Sequence, residues 1–308
     1  MRLIGTLAAS AALVALATSA QAQELKTLGL AVANLQANFF NQIKQSVEAE
    51  AATQGIRVIT VDAKGDGPTQ VSQIQDLLTQ NIDALIYIPA GAAAATVPVK
   101  LAQAAGVPVI NIDRNAEGAP GDTFIATNSV DSAKTVCDHI IEQAGGAGKM
   151  AIIHGQKGTT PEVDRMAGCT QSLEANPEVE VVAEQWSNMW SQDEGFQIMQ
   201  NMLQANPDVT IVFAQADALA LGAAQAIKVA NPSEKVWLAG FDGDTAALEA
   251  LKQGVFDVTA TQQTQLMGRM AVESAKKLVA GEEVPAEQLM EATLTTQENV
   301  DGFIAEHP

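Results

Sequence analysis

From Leu28 almost to the C-terminus, short apolar runs alternate with longer segments whose apolar residues recur every three or four positions. The runs read as strands at Thr27–Ala33, Arg57–Ala63, Ala84–Ala90, Val107–Asp113 and Thr123–Asn128. A second series follows at Lys149–Gly155, Val179–Gln185, Val209–Gln215, Lys235–Phe241 and Val255–Thr261. Between them, Phe40–Ala52 repeats Ile43, Val47 and Ala51 at intervals of four, and Thr69–Gln80 carries Val71, Ile74, Leu77 and Leu78, so each helix has one buried face. This alternation predicts an α/β protein with two similar doubly wound parallel-sheet lobes, each of about five strands. In such sheets ligands lie beyond the carboxyl ends of the strands, and polar clusters fall there, after Val32, Ile112, Ala214 and Ala239.

One cluster stands out. In VINIDRN (Val109 to Asn115) an apolar run ends in an Asp followed by an Arg. Two opposite charges just past a buried strand suggest a prepared polar site, Asp113 with Arg114, rather than ordinary loop solvation. Arg165, in GTTPEVDRMAG, falls in the first turns of a helix, where a cation opposes the dipole; it reads either as a surface residue or as a functional one. Trp186 and Trp190 in QWSNMW follow a strand and read as core or as functional residues.

The N-terminus changes where the protein is expected to work. Residues 1–22 combine an early cation, Arg2, an apolar stretch to about Ala17 and an Ala20-Gln21-Ala22 cleavage site, the pattern of a secretory signal peptide. Gln23 follows, so no thiol is there for lipid attachment, and no later segment has the roughly 18 apolar residues of a membrane span. A periplasmic protein is expected. The chain of 308 residues has a net charge of −19, which repels phosphate backbones and argues against nucleic acid as a partner. A hydrophobic content of 47% is ample for two cores.

Export also permits a disulfide between the only two cysteines, Cys137 and Cys169. Each lies on the apolar face of its own predicted helix, so they either bond or simply pack. Other motifs dissolve on inspection. GGAGKM (Gly145 to Met150) lacks the spacing and the Ser or Thr of a phosphate loop, and follows a helix instead of a strand. DAKGDG (Asp62 to Gly67) has Lys64 at the third position of a calcium-loop pattern and Gln73 in place of its closing Glu. His139, His154 and His307 have no partner at ligand spacing, so neither a metal nor a cofactor is expected.

With IDRN (Ile112 to Asn115), GTTPEVDRMAG (Gly158 to Gly168), IMQNML (Ile198 to Leu203), VFAQADALALGA (Val212 to Ala223) and GFDGD (Gly240 to Asp244), the chain resembles the periplasmic ribose-binding proteins from about Leu28 to Thr295. The resemblance implies a solute-binding protein of a sugar ABC importer, whose two lobes close over one ligand about three hinge strands. By alignment the crossings fall near Asn128, Gln262 and Glu291. The lobes are then 24–127 plus 263–291 and 128–262 plus 292–308. Carried over, Phe39, Phe40 and Trp190 are aromatic walls, Asp113 and Arg114 a hydroxyl clamp, Arg165 a second donor, Asp242 a further contact with Phe241 beside it, and Gln262 a hinge contact. Ala37 and Ala216 stand where the family has ligand-binding Asn, which leaves that part of the site roomier and less polar; Gln36, Asn38 and Asp217 lie near enough to substitute.

Sugar hydroxyls both donate and accept, so they call for carboxylate and guanidinium together, with aromatic faces over C–H patches. Asp113 and Asp242 against Arg114 and Arg165 leave the site near charge balance, so a neutral sugar or polyol is expected. The partners implied are that ligand, a permease with its cytoplasmic ATPase, and, in an alternative role as sensor, a chemoreceptor or sensor kinase; the protein itself is expected to be a monomer. The rival from another class is a periplasmic carbohydrate-active enzyme using Asp113 and Asp242 across the cleft.

Overall fold

The computed structural model describes residues 23–308; the expected signal peptide, residues 1–22, lies outside the described residues. The first half runs β1 (Thr27–Val32), α1 (Asn38–Thr53), β2 (Arg57–Asp62), α2 (Gly67–Thr79), β3 (Ala84–Tyr87), α3 (Thr96–Ala104), β4 (Val109–Ile112) and β5 (Thr123–Thr127). Next come α4 (Ser129–Gln143), β6 (Gly148–His154), α5 (Thr160–Ala175), β7 (Val179–Trp186), α6 (Gln192–Ala205), β8 (Ile211–Ala214), α7 (Asp217–Ala230), β9 (Trp237–Ala239) and α8 (Thr245–Lys252). The chain ends with β10 (Thr259–Thr261), α9 (Thr264–Val279), β11 (Glu287–Met290), β12 (Thr293–Thr295) and α10 (Val300–Ala305).

These strands make two parallel sheets, ordered β11-β5-β4-β3-β1-β2 and β7-β6-β8-β9, and an antiparallel pair β10-β12. Strand alternation explains the layering. Leu28, Leu30, Ile86 and Ile110 pack one face of the first sheet against Ile43 and Val47 of α1 and Met267 and Val272 of α9. Ala31, Leu85, Tyr87 and Val109 turn the other face toward Ile74 and Leu77 of α2 and Val99 of α3. The second sheet repeats the scheme, with Ile153 and Val212 against α6 and α7, and Ile152 and Phe213 against α4 and α5. Burial on both faces is why these strands read as continuous apolar runs.

The two cysteines meet. Cys137 on α4 and Cys169 on α5 form a disulfide with an S–S distance of 2.02 Å. The helices cross closely enough that a Cβ at the adjacent Gly168 would lie 2.1 Å from the Val130 carbonyl oxygen.

Two details differ from the sequence expectation. The tenth predicted run shrinks to Thr259–Thr261, with Val258 before it held to β9 by a single bridge to Ala239. The polar segments Glu287–Met290 and Thr293–Thr295 are strands that no apolar run announced.

The chain passes between the sheets three times: after β5, between β10 and β11, and between β11 and β12. The passages are tied together. Thr127 Oγ1 donates to Gln262 Oε1 at 2.6 Å, Asn128 Nδ2 to Glu291 Oε1 at 3.1 Å, and Gln263 Nε2 to the Glu291 carbonyl at 2.8 Å. In each sheet the strand order reverses at one point, β1/β3 and β6/β8. Loops diverge there beyond the carboxyl ends and leave a crevice.

Candidate ligand-binding site

The crevices face one another across a shared cavity of about 280 Å³. Asn34 and Gln36 to Phe40, after β1, and Asp113 and Arg114, after β4, line it from the first lobe. Pro161 and Arg165 on α5, Met189 to Gln192 after β7, Ala216 and Ala218 at the start of α7, and Asp242 and Asp244 after β9 line it from the second.

A strained backbone aims three of these side chains. Asp113, Trp190 and Asp242 have positive φ values of 62°, 55° and 127°. A non-glycine residue there costs about 1–3 kcal/mol and persists only where the surroundings over-determine it. At Asp113 the strain is a γ-turn: its amide donates to the Ile125 carbonyl, and the next amide, Arg114, donates back to Ile112 at 2.6 Å. Trp190 is seated on Gly155, where a Cβ would fall 1.7 Å from its ring.

The charged groups form one pair per lobe. Arg114 Nε lies 3.6 Å from Asp113 Oδ2, while Nη1 donates to the Pro89 carbonyl (3.0 Å) and reaches across the cleft to Gln156 Oε1 (3.2 Å). Its guanidinium stands 5.1 Å from the centre of the Phe40 ring. Arg165 Nη1 lies 3.2 Å from Asp242 Oδ1, with its guanidinium 3.9 Å above the Phe241 ring and Nη1 also donating to the Gln215 carbonyl. Burial raises the Asp113 carboxyl and lowers Arg114 to about 10, each partly countered by the other's charge. Burial also pushes Asp242 up, with the Arg165 guanidinium pulling it back.

The lobes touch around this centre. Asn38 Nδ2 donates to Asp244 Oδ1 (3.3 Å), Gln42 Nε2 to Thr245 Oγ1 (3.3 Å), and the Asn115 amide to Thr160 Oγ1 (2.9 Å). This is a closed arrangement, held by polar contacts at its rim. Three buried N–H groups on lining residues have no acceptor: Nε of Arg114, Nε of Arg165 and Nε1 of Trp190.

Of the sequence-derived candidates, Gln36, Asn38, Phe39, Phe40, Asp113, Arg114, Arg165, Trp190 and Asp242 come together around the cavity. Four do not line it, and the expectation of direct contact is corrected for each. Gln262 is fully buried and donates to Asp242 Oδ1 at 2.8 Å, so it positions a cavity residue. Phe241 lies beneath Arg165. Asp217 turns inward, where its carboxylate accepts the Gly243 and Asp244 amides and the Thr259 hydroxyl; burial raises it to about 6. Trp186 stacks on His154 with ring centroids 4.4 Å apart and donates to Glu162 Oε1 at 3.0 Å, away from the cavity.

Sequence reasoning missed Met189, Ser191, Gln192 and above all Asp244. The last closes the GFDGD run, so its position was visible; its orientation was not. Asp244 makes three carboxylates to two guanidiniums along the lining, so the balance of charge read from the sequence is one short.

Two lobes that bring opposed strand ends and paired charges to one enclosed cleft define a cleft-closing binding protein. The chain belongs to the periplasmic binding protein family: residues 28–283 match the model described as periplasmic binding protein domain. It is 34% identical over 258 residues to the ribose import binding protein of Bacillus subtilis, covering 84% of this chain and 83% of that one. To the ribose import binding protein of Escherichia coli it is 32% identical over 298 residues, 97% and 99% of the two chains. An ABC transporter solute binding protein from Bacillus halodurans, solved with bound myo-inositol, matches with a TM-score of 0.86 at 28% identity, covering 94% of this chain and all of the other. Proteins of this family are substrate-binding components of transporters and not enzymes.

Proposed function

We propose that the protein captures one neutral monosaccharide or sugar alcohol between its lobes in the periplasm, after export by its N-terminal segment. It then delivers that ligand to the permease of an ABC importer driven by a cytoplasmic ATPase. The observation that carries this reading is the meeting of two guanidinium–carboxylate pairs, one from each lobe, in a single cavity. Such pairs offer donors and acceptors at fixed angles, which suits a molecule whose every hydroxyl is both.

The aromatic walls Phe39, Phe40 and Trp190 suit the C–H faces of a small carbohydrate. A cavity near the low end of the about 300–1,000 Å³ usual for small-molecule sites suits one such unit. The names of the ribose import binding proteins and the myo-inositol complex point to the same ligand class.

The lobes in this reading are 24–127 plus 263–291 and 128–262 plus 292–308, with Asn128, Gln262 and Glu291 at the crossings. Hydrogen bonds tying those passages together support a hinge at the crossings. Catalysis is disfavoured because Asp113 and Asp242 are each engaged by a guanidinium, and the remaining carboxyl of the lining, Asp244, has among the described residues no second unengaged carboxylate across the cleft to complete an acid–base pair.

A thermal-shift screen over neutral pentoses, hexoses, cyclitols and linear polyols tests the proposal. A ligand at 100 times its Kd stabilises by about 2.7 kcal/mol, and one class is expected to respond. No shift with any of them overturns the reading.

A further inference from the structure

Asp244 occupies the N-cap of α8, where an Asp side chain ordinarily accepts an amide of the first helical turn. It makes no such bond and lines the cavity instead. Although only 8% exposed, its carboxyl has one hydrogen-bond donor, Asn38 Nδ2 on the opposing lobe at 3.3 Å. Among the described residues no cation pairs with it, for Arg165 faces Asp242 and Arg114 faces Asp113.

The ionisable groups around it add no positive charge to spare. Asp217, at the start of α7, holds the Asp244 amide at 2.9 Å. Asp242 stands two residues earlier with Arg165 of α5 engaged on it. His307, near the C-terminus, bonds the Gly243 carbonyl at 2.8 Å, and burial lowers its pKa.

A neutral ligand brings no cation to this corner. Closing the cleft over an ionised Asp244 would bury an uncompensated charge, whereas a protonated one satisfies itself by accepting from Asn38 and donating to a ligand oxygen. We propose that Asp244 is a ligand-contacting residue that enters the closed complex as a neutral carboxylic acid, so that capture of an uncharged polyol takes up one proton from solvent onto its carboxylate. This deepens the polyol reading and rests on it.

The electrostatics agree with the geometry: burial first, and the Asp217 charge second, raise the Asp244 carboxyl to about 7 in this closed form. In an open, hydrated cleft a carboxyl titrates near 4. Because the closed-state value is the raised one, the contribution to affinity is present at low pH and lost as pH rises through about 7. Affinity is therefore expected to fall about tenfold between pH 6 and pH 8.

Calorimetry with myo-inositol and with ribose, in phosphate and in imidazole buffer at pH 6, tests this on the wild-type chain. Expected are heats that differ between buffers by close to one proton per ligand. Asp244→Asn, which mimics the neutral acid, is expected to show no such difference and to keep at pH 8 the affinity that the wild type shows at pH 6. Buffer-independent heats in the wild type, or uptake unchanged in D244N, overturn the proposal while leaving the polyol reading intact. So does tighter binding of glucamine than of sorbitol without proton uptake, since Asp244 would then serve as a carboxylate counter-ion. Absence of heat with both probes, together with a silent screen of neutral sugars and polyols, removes the reading and this proposal together.

Discussion

Replacing Arg165 by Met keeps a buried apolar stem and deletes the guanidinium, which separates what the pair does for folding from what it does for binding. Asp242, 7% exposed, then keeps Gln262 Nε2 at 2.8 Å and loses the cation at 3.2 Å. Its carboxyl either stays ionised and unpaired or takes up a proton, and protonation sets the ceiling on the loss. Protonating at pH 7 a group that titrates near 3.9 in the unfolded chain costs about 4 kcal/mol, at about 1.36 kcal/mol per unit, and because burial already holds Asp242 raised in the wild type the ceiling on the loss lies below that figure.

In Arg165→Met the folded carboxyl lies further above its unfolded value than in the wild type. The contribution of this carboxyl to stability is therefore greatest in acid and declines as pH rises, so the deficit should be smaller at pH 5 than at pH 7. Adding Asp242→Asn removes the stranded charge and is expected to return most of the stability at pH 7. Binding should not return, because one charge-assisted hydrogen bond, about 1.5–3 kcal/mol, stays lost. Urea titrations of the two variants at pH 5 and pH 7, with calorimetry against the best ligand of the screen, read both effects. A single variant as stable as the wild type at pH 7, or a double variant no more stable than the single, would refute the reasoning.

Three further outcomes are expected. Trp190→Ala should weaken ligand binding at least about tenfold in calorimetry, and Trp190→Phe should retain most of the affinity, because the wall over Gly155 needs a flat apolar face. Trp186→Phe should leave Glu162 Oε1 without its indole donor and lower Tm by a few degrees with affinity unchanged; a loss of binding would return Trp186 to the site. Cys137→Ser with Cys169→Ser should lower unfolding stability by about 3–4 kcal/mol in denaturant titration, from the 32-residue separation that the bond closes, while ligand affinity holds.

Much of the architecture was legible because burial writes itself into composition. Strands covered by helices on both faces become unbroken apolar runs, so β1, β3, β4, β6 and β8 were each found within two or three residues. The strands β11 and β12 were not, because in Glu287–Met290 and Thr293–Thr295 only the last residue of each, Met290 and Thr295, is buried, and the segments are ordered by pairing with β5 and β10, not by an apolar run. For the site, sequence located residues but not directions. Asp217 and Asp242 both follow a strand, yet one turns inward to three hydrogen bonds and the other outward to Arg165. Asp242 takes that direction at a φ of 127°, a backbone choice made by the tertiary fold. Likewise Trp186 and Trp190 share a motif, and only the seat offered by Gly155 distinguishes the cleft wall from the residue stacked on His154.

The most direct test of the central claim is a crystal structure of the protein with the strongest ligand from the neutral sugar and polyol screen. One molecule should lie between the lobes, with hydroxyls within hydrogen-bond distance of Asp113, Arg114, Arg165 and Asp242 and a ring or carbon chain against Phe40 or Trp190. A ligand bound to one lobe alone, or outside the cleft with both guanidinium–carboxylate pairs untouched, would contradict it.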